Sequence, residues 1–128
     1  MMGESMSGKR GPRVPRFEVV GEDLEVRVHG SFLTPVSPQD VREGDLLKFT
    51  YTPDDWGDYH LVHEVRPTSD GFLLSGVWMK DRRDSGGFAT DVNRQSLVER
   101  VRPDVAKMVV DYLTMAKKQY FQARHPTV

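Results

Sequence analysis

A chain of 128 residues has the length of one domain and can bury a core without staples. It contains no cysteine, which excludes disulfides and cysteine-ligated zinc. Lys and Arg number 18 against 19 Asp and Glu, so a global basic footprint for nucleic acid is excluded and only local patches remain.

Residues 1–16 are rich in Gly, Ser, Pro and basic side chains, with Lys9, Arg10, Arg13 and Arg16 against the single acid Glu4, and read as a disordered arm. Phe17 to Val20 and Leu24 to His29 follow as two short strands joined by Gly21-Glu22-Asp23; in the second, Leu24, Val26 and Val28 alternate with Glu25, Arg27 and His29. Gly30 to Gln39, with two prolines, reads as a loop.

The turn Arg42-Glu43-Gly44-Asp45 then opens three consecutive strands. In the first, Leu46 to Thr52, Leu47, Phe49 and Tyr51 share one face and Lys48, Thr50 and Thr52 the other. In the second, Asp58 to Arg66, alternation puts Tyr59, Leu61 and Val65 on one face and His60, Val62, Glu64 and Arg66 on the other. The third, Gly71 to Met79, is bulky on both faces, as a central strand must be, and Gly76 interrupts it where a bulge or bend would help it curl. The connections Pro53 to Gly57 and Pro67 to Gly71 are short, which makes the three strands an antiparallel meander.

A polar, glycine-bearing loop runs from Lys80 to Gly87, and Phe88 to Val92 and Leu97 to Val101 read as two more short strands. A helix occupies 103–124, with Asp104 as its expected N-cap. Val105, Met108, Val109, Tyr112, Leu113, Met115, Ala116 and Tyr120 form its apolar stripe. Val110 and Phe121 fall outside that stripe, and Lys117, Lys118 and Arg124 suit the C-terminal end of the helix dipole.

The expected fold is therefore α+β and mainly β. A five- to seven-stranded antiparallel barrel or curled sheet occupies 17–102, a C-terminal helix at 103–124 packs on it, and a mobile arm covers 1–16. The stretch Val41-Arg42-Glu43-Gly44-Asp45-Leu46-Leu47 resembles the lead-in to a strand in SH3-like and related small barrels. An SH3-like barrel is favoured over an OB-fold, because the latter places its helix between strands and the helix here is terminal.

Candidate chemistry is sparse. His60 and His63 sit three residues apart on a strand, which points them to opposite faces, whereas zinc-protease histidines share a helix face. No metal site and no cofactor is expected. Serines lack the context of a strained nucleophile elbow, and paired carboxylates lie on turns where turn chemistry accounts for them. An enzyme is not the favoured reading.

The leading expectation is a non-catalytic binding or adaptor module acting through protein contacts or self-association. Trp56, at a hairpin tip, is either core or an exposed anchor, and Val110 and Phe121 are the second candidate surface. One alternative is a nucleic-acid-binding barrel that uses Arg10, Arg13, Arg16, Lys80, Arg82 and Arg83, although Asp81, Asp84 and Asp91 dilute that charge. Another is a small-ligand binder or enzyme with a pocket near His60, His63 and Tyr51. No run approaches the roughly 18 apolar residues of a membrane span. No apolar segment follows the basic N-terminus as in a secretory signal, so no membrane partner and a cytoplasmic location are expected.

Overall fold

The alternation that marks the strands is carried into a mainly β architecture with one C-terminal helix. The structure, a computed structural model, describes residues 15–49 and 59–124. In chain order the strands are β1 (Phe17–Val20), β2 (Glu25–Val28), β3 (Leu33–Val36), β4 (Leu46–Lys48), β5 (Tyr59–Pro67), β6 (Gly71–Met79), β7 (Ser85–Asn93) and β8 (Val98–Val101), followed by the helix α1 (Pro103–Arg124).

β1 and β2 form a separate hairpin, and the other strands form a six-stranded sheet in the order β3-β8-β4-β5-β6-β7. All pairings are antiparallel. The expected meander is present as β4-β5-β6. The sheet does not close among the described residues, since β3 and β7 remain as edges. Of the two architectures expected from sequence, a curled open sheet is the one that fits.

The turn at Arg42 to Asp45 is built as its sequence suggests. Gly44 takes φ 93°, a conformation that glycine reaches without a Cβ penalty. The Asp45 carboxylate accepts from the Arg42 amide at 2.8 Å and meets the Arg100 guanidinium at 3.3 Å. The Gly44 amide donates to the Val62 carbonyl at 2.8 Å, which ties the turn to β5.

Pairing of β5 with β6 slips by one residue between Val62 and Glu64, leaving His63 as a bulge. Across from it, Gly76 has no room for a Cβ, which would collide with the Leu61 carbonyl. The bulge reverses the alternation, so Val65 joins Val62 on one face while Tyr59 and Leu61 lie on the other. The strict alternation expected for β5 is thus corrected, and so are its histidines. His60, which alternation places on a face with Glu64 and Arg66, is buried, and His63, which alternation places with Tyr59 and Val65, is exposed.

The Gly30–Gln39 loop is also corrected, for it contains β3 with Pro35 inside it. Pro35 is tolerated because β3 pairs only with β8 and stands at the sheet edge. β7 begins at Ser85 rather than Phe88, so Gly86 and Gly87 are strand residues and the loop shrinks to 80–84.

The helix bounds are those expected. Its start differs in detail: the Arg102 carbonyl accepts the first helical bond from the Ala106 amide at 2.8 Å, Pro103 opens the first turn, and Asp104 lies inside that turn. Asp104 instead takes a two-pronged contact from Arg102 at 2.6 and 2.8 Å. That contact holds its carboxyl at about 2.

The sheet carries a core on each face. On the helix side, Leu46, Tyr59 and Val101 pack with Val105, Val109 and Leu113 of α1 and with Val26 and Val28 of the hairpin. On the other side, Leu47, Val62, Leu74, Val92 and Val98 pack with Val36 at the end of β3 and Val41 from the segment between β3 and β4. Met108 and Met115, expected in the helix stripe, are exposed. No helix among the described residues is long and apolar enough to cross a membrane.

Candidate partner-binding site

The loop 80–84 is held by Asp81, which is buried, unlike the solvated charge run that its composition suggests. The Asp81 carboxylate accepts from the amides of Arg83 and Asp84, each at 2.8 Å. The Arg82 amide donates to the Asp23 carbonyl at 2.9 Å, and the Lys80 carbonyl accepts from the Val26 amide at 3.2 Å. The loop is thereby hung on the β1–β2 hairpin, and its arginines are carried to the C-terminal turns of α1.

Arg82 lies over the Tyr120 ring, 5.1 Å from its centroid. Arg124 approaches the same ring at 5.5 Å and donates to its hydroxyl at 3.1 Å. Next along the helix, Lys117 sits 5.1 Å from the centroid of Phe121 and donates to the Ser85 hydroxyl. The rings of Tyr120 and Phe121 are 5.4 Å apart, and Phe121 is 43% exposed.

Cations of this molecule occur both with and without a carboxylate partner, and Arg16, Arg42, Lys48 and Arg94 lack one among the described residues. Arg27, Arg66, Arg100, Arg102 and Lys107 each have a carboxylate partner, and Arg83 reaches Asp23 at 3.4 Å. Asp23 is the main cause of the raised Arg83 pKa. Among the described residues, Lys80, Arg82, Lys117, Lys118 and Arg124 have no carboxylate within ion-pair reach. The Arg82 Nε is moreover buried with no acceptor. An unmet buried donor is costly, and a water or an acceptor that reaches it relieves that cost.

Two clefts flank this basic cluster. One, about 190 Å³, is lined by Val77, Met79, Asp81, Ser85, Leu113 and Lys117 among others. The other, about 280 Å³, is lined by Leu24, Arg82, Ala116, Tyr120 and Arg124 among others. The first is an apolar recess with the Lys117 ammonium and the Asp81 carboxylate in its lining, and the second is a mixed trough in which Arg82 and Arg124 stand beside Leu24, Ala116 and Tyr120.

The residues singled out from sequence divide accordingly. Trp56, Arg10, Arg13 and Tyr51 lie outside the described residues. Arg16 is exposed ahead of β1, where its carbonyl accepts from the His29 amide at 2.9 Å. Lys80, Arg82 and Arg83 come together with the helix end. Phe121 joins them, but Val110 does not stand free on a polar face, since it is half-buried against the helix-side core. His60 lies between Phe49 and Phe88, with ring centroids 4.6 and 4.8 Å away, whereas His63 is on the exposed bulge. The pair does not share a pocket. No group of three His, Asp or Glu side chains suited to a metal ion occurs among the described residues.

Sequence reasoning missed Lys117, Tyr120 and Arg124 as site residues. Their spacing of three and four residues puts them on one helix face, but the basic members were accounted for by the helix dipole alone. Comparison of the chain with protein-family models, with curated proteins and with solved structures gives no match to any of them.

Proposed function

We propose that the protein is a non-catalytic binding module that acts through protein contacts and takes an acidic segment of its partner along the C-terminal half of α1. The observation that carries this reading is Arg82, whose buried Nε lacks an acceptor amid cations that lack carboxylates. An extended acidic segment supplies carboxylates to Arg82, Arg124 and Lys117, and one apolar side chain of it fills the recess beside Leu113. Aromatic and arginine anchors of this kind dominate protein interfaces. The Tyr120 ring already carries two guanidinium groups, which leaves little of it for base stacking.

The test is a titration of the full chain with a fluorescent glutamate-rich peptide carrying one leucine, beside single-stranded DNA of equal charge. The peptide is expected to bind more tightly than the DNA. Arg82→Glu combined with Arg124→Glu is expected to weaken it by about tenfold or more. Tighter binding of the DNA with a steep salt dependence would transfer the site to nucleic acid. Equal binding by the charge-reversed variant would remove the site altogether.

A further inference from the structure

An open sheet has two edges, and this one treats them differently. β3 is four residues long and contains Pro35, which has no amide hydrogen to offer. Short strands and prolines are the usual means of blunting an edge. β7 has nine residues, with no proline, no lysine and a single charge at Asp91. It pairs with β6 along its whole length with no slip, from Ser85 opposite Met79 to Asn93 opposite Gly71. The Asn93 carbonyl accepts from the Ser96 amide at 3.0 Å. Apart from that bond, no hydrogen bond from outside the β6–β7 ladder reaches the β7 backbone among the described residues. Nine strand residues present about 30 Å of open backbone donors and acceptors.

We infer that β7 is the seam between two copies of this chain, pairing antiparallel with β7 of a second copy about a two-fold axis at Ala89. A two-fold axis normal to the sheet keeps each side chain on its own face. Opposed residues must then have the same parity, which places the axis on a residue. Full overlap of the strand puts it on Ala89. In that register Ala89 meets its own copy, Gly87 lies opposite Asp91, Phe88 opposite Thr90, Gly86 opposite Val92, and Ser85 opposite Asn93. The strand's one carboxylate therefore never faces another. Phe88 gains a β-branched neighbour, a favourable cross-strand pair. The contact is isologous and closes, as expected of a dimer rather than a fibre. It rests on the sheet edge and does not depend on the basic site.

Light scattering of the full chain tests the seam. The wild-type chain is expected at twice the monomer mass. Ala89 is exposed, so Ala89→Lys and Ala89→Glu leave the fold intact by circular dichroism, yet each sets like charges against each other at the axis. Each variant alone is expected at monomer mass, and an equimolar mixture of the two is expected to recover the dimer. A monomeric wild-type chain, a single variant that remains dimeric, or a mixture that stays monomeric would each overturn the inference.

Discussion

The two faces of the six-stranded sheet bury similar aliphatic side chains but handle their one buried polar ring differently. On the helix side the Tyr59 hydroxyl accepts the Val28 amide at 2.8 Å, so a strand of the separate hairpin is latched to the sheet through it. On the opposite side His60 is enclosed edge-on by the rings of Phe49 and Phe88. The helix-side core is assembled from elements outside the six-stranded sheet, α1 and the hairpin. The other core is closed by the chain segment that leads into β4. The bulge at His63 is where β5 exchanges its contribution from one face to the other, so the two cores are coupled at Gly76.

That coupling gives the largest expected effect. Gly76→Val forces a side chain against the Leu61 carbonyl and should destabilise the fold by about 3 kcal/mol or more. Gly87→Ala serves as control, because its new Cβ meets only the Gly76 carbonyl at 3.8 Å and should leave the denaturant midpoint nearly unchanged. Equal midpoints for both variants would show that the faces are not coupled there.

Next comes the contrast between the cores themselves. Leu74→Ala and Leu113→Ala each remove a side chain that is at most 3% exposed. Each should cost about 2–5 kcal/mol in urea unfolding. The Leu113 variant should be the milder, because α1 can settle into the space whereas β6 is held on both sides by strands. The reverse order would mean that the helix is seated more rigidly than the sheet.

The smallest effect concerns the latch. Burial raises the Tyr59 pKa above its usual value near 10, against an opposing contribution from the Val28 amide. The folded chain therefore holds that proton where the unfolded chain has released it. Stability contributed by the group is complete below pH 10 and declines as pH rises through the folded pKa. Tyr59→Phe should cost about 1 kcal/mol at neutral pH and should flatten the alkaline decline in thermal midpoint. An alkaline limb identical in wild type and variant would assign the decline to other tyrosines.

Much of this arrangement was legible in the sequence. The helix at 103–124, the two long central strands and the turn at Gly44 follow from periodicity and from a residue type that tolerates positive φ. What escaped has a common cause: pairing partners override local signals. Pro35 reads as a loop until its strand is placed on an edge, and Gly86 and Gly87 read as a loop until Trp78 and Val77 are found opposite them. His63 breaks the alternation of β5 through a bulge that no local pattern announces, which moves Val65 to the other face, whereas His60 keeps its face and is buried because that face carries a second core. In the candidate site, Lys80, Arg82, Arg83 and Phe121 could be named from sequence. Their neighbours Tyr120 and Arg124 could not be joined to them, because the loop is brought against the helix by its bonds to the β1–β2 hairpin, which local sequence does not announce.

β4 contributes only three residues, yet it is the one strand that joins the β5-β6-β7 ladder to the β8-β3 pair. Strands adjacent in sequence close small loops at little entropic cost, so β5, β6 and β7 can assemble early. The other flank of β4 waits for β8, whose Arg100 is separated by 55 residues from its partner Asp45. Because α1 follows β8 directly, the step that completes the sheet also delivers the helix onto it. The chain therefore acquires both pairings of β8, with β4 and with β3, and its helical cover in one late event.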